Sequence, residues 1–103
     1  MSVLVNFAIF PTDKGDSVSE FVSQVIKMIS ESGFAYKLNS MGTVVETDTM
    51  DEALGIISKS YKVLEPFSKR VYCTATFDIQ KVKANRIDGK ITSIENRIGK
   101  VRS

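Results

Sequence analysis

Large apolar side chains occupy every second position from Val3 to Ile9. This period of two predicts a strand with one strongly apolar face. The sequence Ser-x-x-Glu that begins at Ser17 is typical of a capping box, and apolar residues follow it at helical spacing. Gly33 stands where a left-handed residue would end a helix. We therefore expect a helix from Ser17 to about Ser32.

A hairpin should come next along the chain. Apolar and polar residues alternate again from 34 to 38, a compact break lies at 40 to 42, and residues 43 to 47 are rich in β-branched side chains. Two short strands separated by so few residues predict a β-hairpin.

A second Ser/Thr-x-x-Glu sequence, Thr49-Met50-Asp51-Glu52, predicts another helix. This helix should end before Pro66, because the residue before a proline disfavours helical geometry. Its predicted buried stripe consists of Met50, Ala53, Leu54, Ile57, Tyr61 and Leu64.

The remaining pattern predicts one more strand and one more helix. Residues 71 to 79 alternate, and within them Cys73 would be a buried thiol. Apolar residues from Ile87 to Val101 are spaced four, three, four and three apart. This spacing predicts a short amphipathic C-terminal helix over about 88–100.

The order strand, helix, hairpin, helix, strand is that of the ferredoxin-like α+β fold, βαββαβ. It predicts a four-stranded antiparallel sheet with two helices on one face, within a single domain spanning 1–103. The open face would carry Leu4, Ala8 and Tyr72, which together are too apolar to stay in water. We therefore expect a partner sheet, the C-terminal helix or a ligand to cover it, and a homo-oligomer built partly through it.

Composition narrows the classes of function. Hydrophobic residues make up 43% and charged residues 25% of the chain, which is the balance of a folded globular protein. The net charge of +2 is too small to indicate nucleic-acid binding. No apolar stretch is long enough for a membrane helix and no signal-peptide pattern is present, so the expected location is cytoplasmic.

The chain has no histidine and a single cysteine. The usual general base near neutral pH is therefore absent, which excludes serine–histidine and cysteine–histidine hydrolases. Zinc sites built from cysteine and histidine are excluded as well. Carboxylate chemistry remains open, but the sequence offers no second catalytic group beside Glu46. We expect no enzyme, no cofactor and no metal site.

Several short motifs occur in a characteristic order: Phe10-Pro11, Ser32-Gly-Phe-x-Tyr-x-Leu38, Met41-Gly42-Thr43-x-x-Glu46, Arg70-Val71 and Lys90-Ile91-x-Ser93-Ile94-Glu95. In this order and spacing they resemble the thiamine-binding proteins of the YkoF-like superfamily, from Val3 to about Arg97. The resemblance implies the same fold, assembly into dimers and often tetramers, and binding of thiamine or a related hydroxymethylpyrimidine without known chemistry. Thr47 follows the motif acid here, where the family more often has glycine.

Glu46 is the foremost candidate for ligand binding. A carboxylate within a strand costs stability unless it has a partner or solvent. It could accept hydrogen bonds from an aminopyrimidine and attract the thiazolium charge, or it could form an ion pair across the sheet or an interface. Asn6, in the middle of the first strand, could bind ring nitrogens or bond a neighbouring hydroxyl such as that of Thr74.

The other candidates offer hydroxyls or aromatic surfaces. Thr43 and Thr74 could donate to or accept from a ligand, although threonine is also an ordinary strand residue. Tyr36, Phe34 and Tyr72 could stack on a pyrimidine or thiazolium ring, or could pack in a core or an interface.

The sequence therefore predicts a non-catalytic, cytoplasmic protein that binds thiamine or its hydroxymethylpyrimidine moiety, as a homodimer or homotetramer joined through the open sheet face. The alternative is a structural or regulatory oligomeric module without a thiamine-type ligand, in which Glu46 forms an interface ion pair.

Overall fold

The computed structural model describes residues 1–82, 86–87 and 97–99. The elements are β1 (Ser2–Pro11), a 3-10 turn (Gly15–Ser17), α1 (Val18–Ser30), β2 (Ala35–Asn39), β3 (Gly42–Thr47), α2 (Met50–Leu64) and β4 (Val71–Gln80). The strands form one antiparallel sheet in the order β2-β3-β1-β4. The predicted ferredoxin-like α+β fold is confirmed. The predicted C-terminal helix falls largely on residues outside the described ranges.

The core lies between the helices and the two central strands. The residues of β1 that face the helices are all buried: Val3, Val5, Phe7 and Ile9. The register places Val5 between Val45 of β3 and Phe77 of β4. Full burial of such a side chain contributes about 1.5–3 kcal/mol. Odd-numbered residues of β1, β3 and β4 therefore face the helices, and even-numbered residues face the open side of the sheet.

The two predicted capping boxes have different outcomes. At α2 the box is confirmed, because the Glu52 amide donates to Thr49 Oγ1 at 3.1 Å and the Thr49 amide donates to Glu52 Oε1 at 3.0 Å. At α1 the prediction is wrong, because the Ser17 side chain makes no capping hydrogen bond. Ser17 already belongs to the 3-10 turn that runs into the helix, so its backbone lacks the extended geometry of a cap.

The predicted buried stripe of α2 is partly wrong. The helix buries Ala53, Ile56, Ser60 and Leu64, whereas Leu54 and Tyr61 are 47% and 43% exposed. The inward face is rotated toward Ser60, a polar residue that the hydrophobic pattern did not include. Its hydroxyl donates to the Ile56 carbonyl at 2.7 Å, which satisfies it inside the core.

Cys73 is exposed, so the predicted buried thiol is also wrong. The residue does face the helix side, as its pairing with Ile9 shows. However, β4 is an edge strand, and the helices pack mainly on the more central strands. Ile79, on the same face of β4, is similarly exposed. Partial desolvation still raises the pKa of the Cys73 thiol.

Candidate functional site

Four of the seven side chains predicted to bind ligand lie on the open face of the sheet: Asn6, Glu46, Tyr72 and Thr74. They do not form one site. Glu46 lies in the row of Leu4, whereas Tyr72 lies in the row of Phe10. Six residues of extended strand separate these rows by about 20 Å. Tyr72 instead contacts Phe10, with ring centroids 5.7 Å apart.

Asn6 has a different neighbour from the one expected. The register pairs it with Val44 and Thr76, and the Thr76 hydroxyl donates to the Asn6 backbone carbonyl at 3.4 Å. Thr74 is paired with Ala8, one row away. The expected hydrogen bond between Asn6 and Thr74 is therefore not formed, and the exposed Asn6 faces the open side.

The Glu46 carboxylate is occupied by partners from the chain itself. The Ser2 hydroxyl donates to Glu46 Oε2 at 2.6 Å, the Arg86 amide donates to the same oxygen at 3.1 Å, and the Ile87 amide donates to Oε1 at 3.3 Å. A carboxylate with three donors is well satisfied without a ligand. Glu46 thus ties β3 to the start of the C-terminal region.

Arg86 extends this network with its side chain. Its guanidinium donates to the Ser2 hydroxyl at 3.1 Å and to the Ser2 carbonyl at 2.8 Å, and it forms an ion pair with Asp78 at 3.1 Å. Sequence reasoning missed both Ser2 and Arg86. They lie 84 residues apart along the chain, and no local pattern relates them.

The pKa of Glu46 is governed by two opposed effects. Partial burial raises the pKa, but the hydrogen bonds from Ser2, Arg86 and Ile87 outweigh it and hold the pKa below the usual value of 4.5. A carboxyl whose pKa is lowered by folding stabilises the folded state above its unfolded-state pKa. That contribution is lost as pH falls through the folded-state value.

We expect Glu46→Gln to destabilise the fold by about 1 kcal/mol at pH 7. The carboxylate accepts hydrogen bonds through both oxygens, whereas the NH2 group of glutamine can only donate and would face a donor. The deficit should shrink as pH falls from about 4.5 through the lower folded-state pKa of Glu46, because the wild-type carboxylate becomes protonated over this range. Urea unfolding at several pH values measures this. The exposed Glu31→Gln is the matched control, and equal stability of Glu46→Gln and wild type at pH 7 would contradict the role of the network.

A cavity of about 320 Å³ lies on the other side of the sheet, between α1 and the β2–β3 hairpin. Its size is at the lower end of the range for small-molecule sites, about 300–1,000 Å³. Its lining is Phe7, Ala8, Ile9, Phe10, Val18, Val22, Val25, Ile26, Leu38, Asn39, Ser40, Met41, Gly42 and Thr43. The walls are mainly apolar, and the polar residues come from the hairpin.

Thr43 is the one predicted site residue that lines this cavity. It is 5% exposed, and no hydrogen bond of its hydroxyl is formed with the part of the chain that the structure describes. Every fully enclosed polar side-chain atom in that part has a partner. The Thr43 hydroxyl is therefore not fully enclosed, and the cavity that Thr43 lines is the space beside it. Tyr36 and Phe34 lie toward the helix side without lining it, and Phe34 packs against the core.

Gly42 allows the hairpin to approach β1 closely. A Cβ atom at this position would lie 2.6 Å from the Phe7 carbonyl oxygen, which real structures do not tolerate. The hairpin turn itself is held by the Met41 amide, which donates to Asn39 Oδ1 at 2.8 Å. The glycine therefore sets the position of the hairpin wall of the cavity, a role that the sequence motif did not reveal.

Comparison with known proteins identifies the family of the chain. A family model described as thiamine-binding protein matches residues 5–95. The chain belongs to this thiamine-binding protein family. The match confirms the resemblance seen in the sequence. Within the motif Met41-Gly42-Thr43-x-x-Glu46, the first three residues line the cavity, whereas Glu46 faces the opposite side of the sheet.

Relatives of this thiamine-binding family member are similar over most of their length. A UPF0045 protein of Methanocaldococcus jannaschii is 32% identical over 92 residues, which cover 89% of this chain and 91% of the relative. A UPF0045 protein of Mycobacterium bovis is 27% identical over 95 residues, covering 92% and 93%. These relatives span nearly the same sequence as the chain itself.

Solved structures share the fold. A hypothetical protein from Methanocaldococcus jannaschii superposes with a TM-score of 0.78 at 33% identity, covering 90% of this chain and 95% of that chain. A Thermotoga maritima protein assigned provisionally to thiamine biosynthesis or salvage superposes with a TM-score of 0.79 at 22% identity, covering 91% and 99%. The second likeness, at its lower identity, bears on the fold alone.

Two further properties concern the part of the chain that the structure describes. No helix there is long and apolar enough to cross a bilayer. No group of three or more histidine, cysteine, aspartate or glutamate residues there could hold a metal ion.

Proposed function

We propose that this protein binds thiamine or its hydroxymethylpyrimidine moiety without transforming it, as a cytoplasmic carrier or sensor. The observation that carries the proposal is the cavity between α1 and the hairpin, which is lined by the first half of the motif that the family resemblance rests on. An apolar cavity with a few polar groups is the usual form of a small-molecule site.

The cavity suits the pyrimidine ring of the ligand. Val22, Leu38 and Phe7 supply apolar surface for an aromatic ring, and the open Thr43 hydroxyl can both donate and accept. An aminopyrimidine presents ring nitrogens as acceptors and an amine as a donor, so it matches a hydroxyl in either sense. The ring would then lie against the apolar walls, with its polar edge toward the hairpin.

The lining of the cavity does not favour catalysis. No acid or base side chain lines it among the described residues, so general acid–base chemistry would have no group within reach of the ligand. Glu46, the carboxylate that the sequence favoured, faces away from the cavity and is bonded to Ser2. Binding alone fits this arrangement.

We expect Thr43→Val to weaken binding of hydroxymethylpyrimidine and of thiamine about tenfold, which corresponds to about 1.4 kcal/mol for one lost hydrogen bond. Stability should change little, because the hydroxyl has no protein partner among the described residues and valine has nearly the same shape. Isothermal titration calorimetry of wild type, Thr43→Val and Glu46→Gln measures the effect.

The same titration tests the prediction that Glu46 holds the ligand. Our proposal expects Glu46→Gln to bind within about twofold of wild type. Loss of binding in Glu46→Gln, with full binding in Thr43→Val, would place the ligand on the open sheet face instead. No saturable heat from either ligand with wild-type protein would reject the proposed function and favour the interaction module.

We also propose assembly into a homodimer or homotetramer through the open face. The exposure of Tyr72, at 50%, and the apolar Leu4 and Ala8 on this face support it. Light scattering coupled to size exclusion measures the assembly. A Tyr72→Glu variant should be a smaller species than wild type, and a wild-type monomer would contradict the proposal.

A further inference from the structure

The charge of the cavity wall bears on which form of the ligand the protein takes. Among the described residues, no acidic or basic side chain lines the cavity. A phosphate ester placed against such a wall would lose hydration without gaining a cation, and burial of an unpaired charge is strongly unfavourable. From this, and resting on the proposed function, we propose that the site selects the unphosphorylated pyrimidine alcohol and discriminates against its phosphate ester.

The start of α1 offers no compensation for an anion. Val18, the first residue of α1, lines the cavity, and helix N-termini attract anions in general. Here, however, a 3-10 turn runs directly into the helix and carries Asp16. A carboxylate in this turn already uses the favourable potential of the helix end and repels a second negative group.

Two lysines close in sequence to cavity-lining residues lie away from the cavity. Lys14, four residues before the helix, has its ammonium 5.7 Å from the centre of the Phe21 ring, and Phe21 does not line the cavity. Lys37 of β2 pairs with Val44 and so belongs to the open face, on the far side of the sheet. Neither lysine is placed to pair with a phosphate in the cavity.

The hydroxymethyl group makes the free pyrimidine the sharpest probe. It is attached directly to the ring, so a phosphate on it must stay close to the apolar wall. The phosphates of thiamine diphosphate are farther from the pyrimidine and can remain in solvent. We therefore expect phosphorylation to weaken the binding of hydroxymethylpyrimidine strongly. Thiamine diphosphate should bind only slightly more weakly than thiamine.

Calorimetric titration of the wild-type protein with hydroxymethylpyrimidine, its monophosphate, thiamine and thiamine diphosphate tests the proposal. We expect the monophosphate to bind at least about tenfold more weakly than the alcohol. Equal or tighter binding of the monophosphate, with the alcohol still bound, would overturn the selectivity and leave the proposed function standing. Failure of all four compounds to bind would overturn both.

A variant that should gain affinity for the monophosphate provides a second, independent test. Ser40 is an exposed residue at the hairpin tip that also lines the cavity. Ser40→Lys should reduce the ratio of the affinities for alcohol and monophosphate by at least about threefold, because the lysine can pair with the phosphate. High salt should diminish this effect. Ser40→Gln, of similar length without the charge, should leave the ratio unchanged. An unchanged ratio in Ser40→Lys would count against the proposal.

Discussion

Replacing Val22 with tryptophan should abolish binding of hydroxymethylpyrimidine and thiamine while the protein stays folded. Val22 lines the cavity on the α1 side, and the cavity has room for a larger side chain without displacing the core. An indole in this space would occupy the position proposed for the pyrimidine ring. We expect affinity to fall by more than about 100-fold, which corresponds to about 2.7 kcal/mol.

The matched control is Leu54→Trp, which places the same side chain on the exposed face of α2. It should bind both ligands like wild type. Thermal unfolding of the two variants shows whether each is folded, and calorimetry measures affinity. Wild-type affinity in a folded Val22→Trp variant would exclude the cavity as the ligand site.

Replacing Gly42 with alanine should destabilise the fold by about 2 kcal/mol, in the range for overpacked positions. The added Cβ would meet the Phe7 carbonyl oxygen at 2.6 Å, and both groups belong to paired backbone that cannot move independently. To relieve the contact, the hairpin must shift away from β1, and this shift would also deform the cavity wall. Urea unfolding measures the loss of stability.

Gly55 provides the opposite case in the same protein. It lies within α2 with nothing within 4 Å of an added Cβ, so Gly55→Ala should stabilise the protein by up to about 1 kcal/mol through helix propensity alone. A Gly42→Ala variant as stable as wild type would show that the close approach at the hairpin is not needed.

The fold could be predicted from sequence because its signals are local. Alternation in the strands, the capping box at Thr49 and a short break between two strands each report on neighbouring residues. The predictions of burial were wrong where tertiary packing, rather than the local pattern, determines which side chains are buried. Cys73 sits at the sheet edge, beyond the main helix contacts, and Ser60 is buried because its hydroxyl bonds within its own helix.

The candidate site was harder to predict, because it depends on which face of a strand a residue occupies. Thr43 and Glu46 belong to one sequence motif, but they are three residues apart, and an odd separation places them on opposite faces. The alternation of side chains along a strand could therefore have assigned Thr43 and Glu46 to different faces from the sequence alone. The cavity and the Ser2–Glu46–Arg86 network depend on contacts between distant parts of the chain, which no local pattern reveals.

The position of the ligand is tested most directly by NMR, through ¹H–¹⁵N amide shifts recorded during titration with hydroxymethylpyrimidine. We predict saturable shifts at the cavity, in the hairpin residues 38–43 and in α1 from Val18 to Ile26, with little change on the open sheet face. Shifts confined to Asn6, Glu46 and Thr74, with the cavity amides unchanged, would contradict the proposed site.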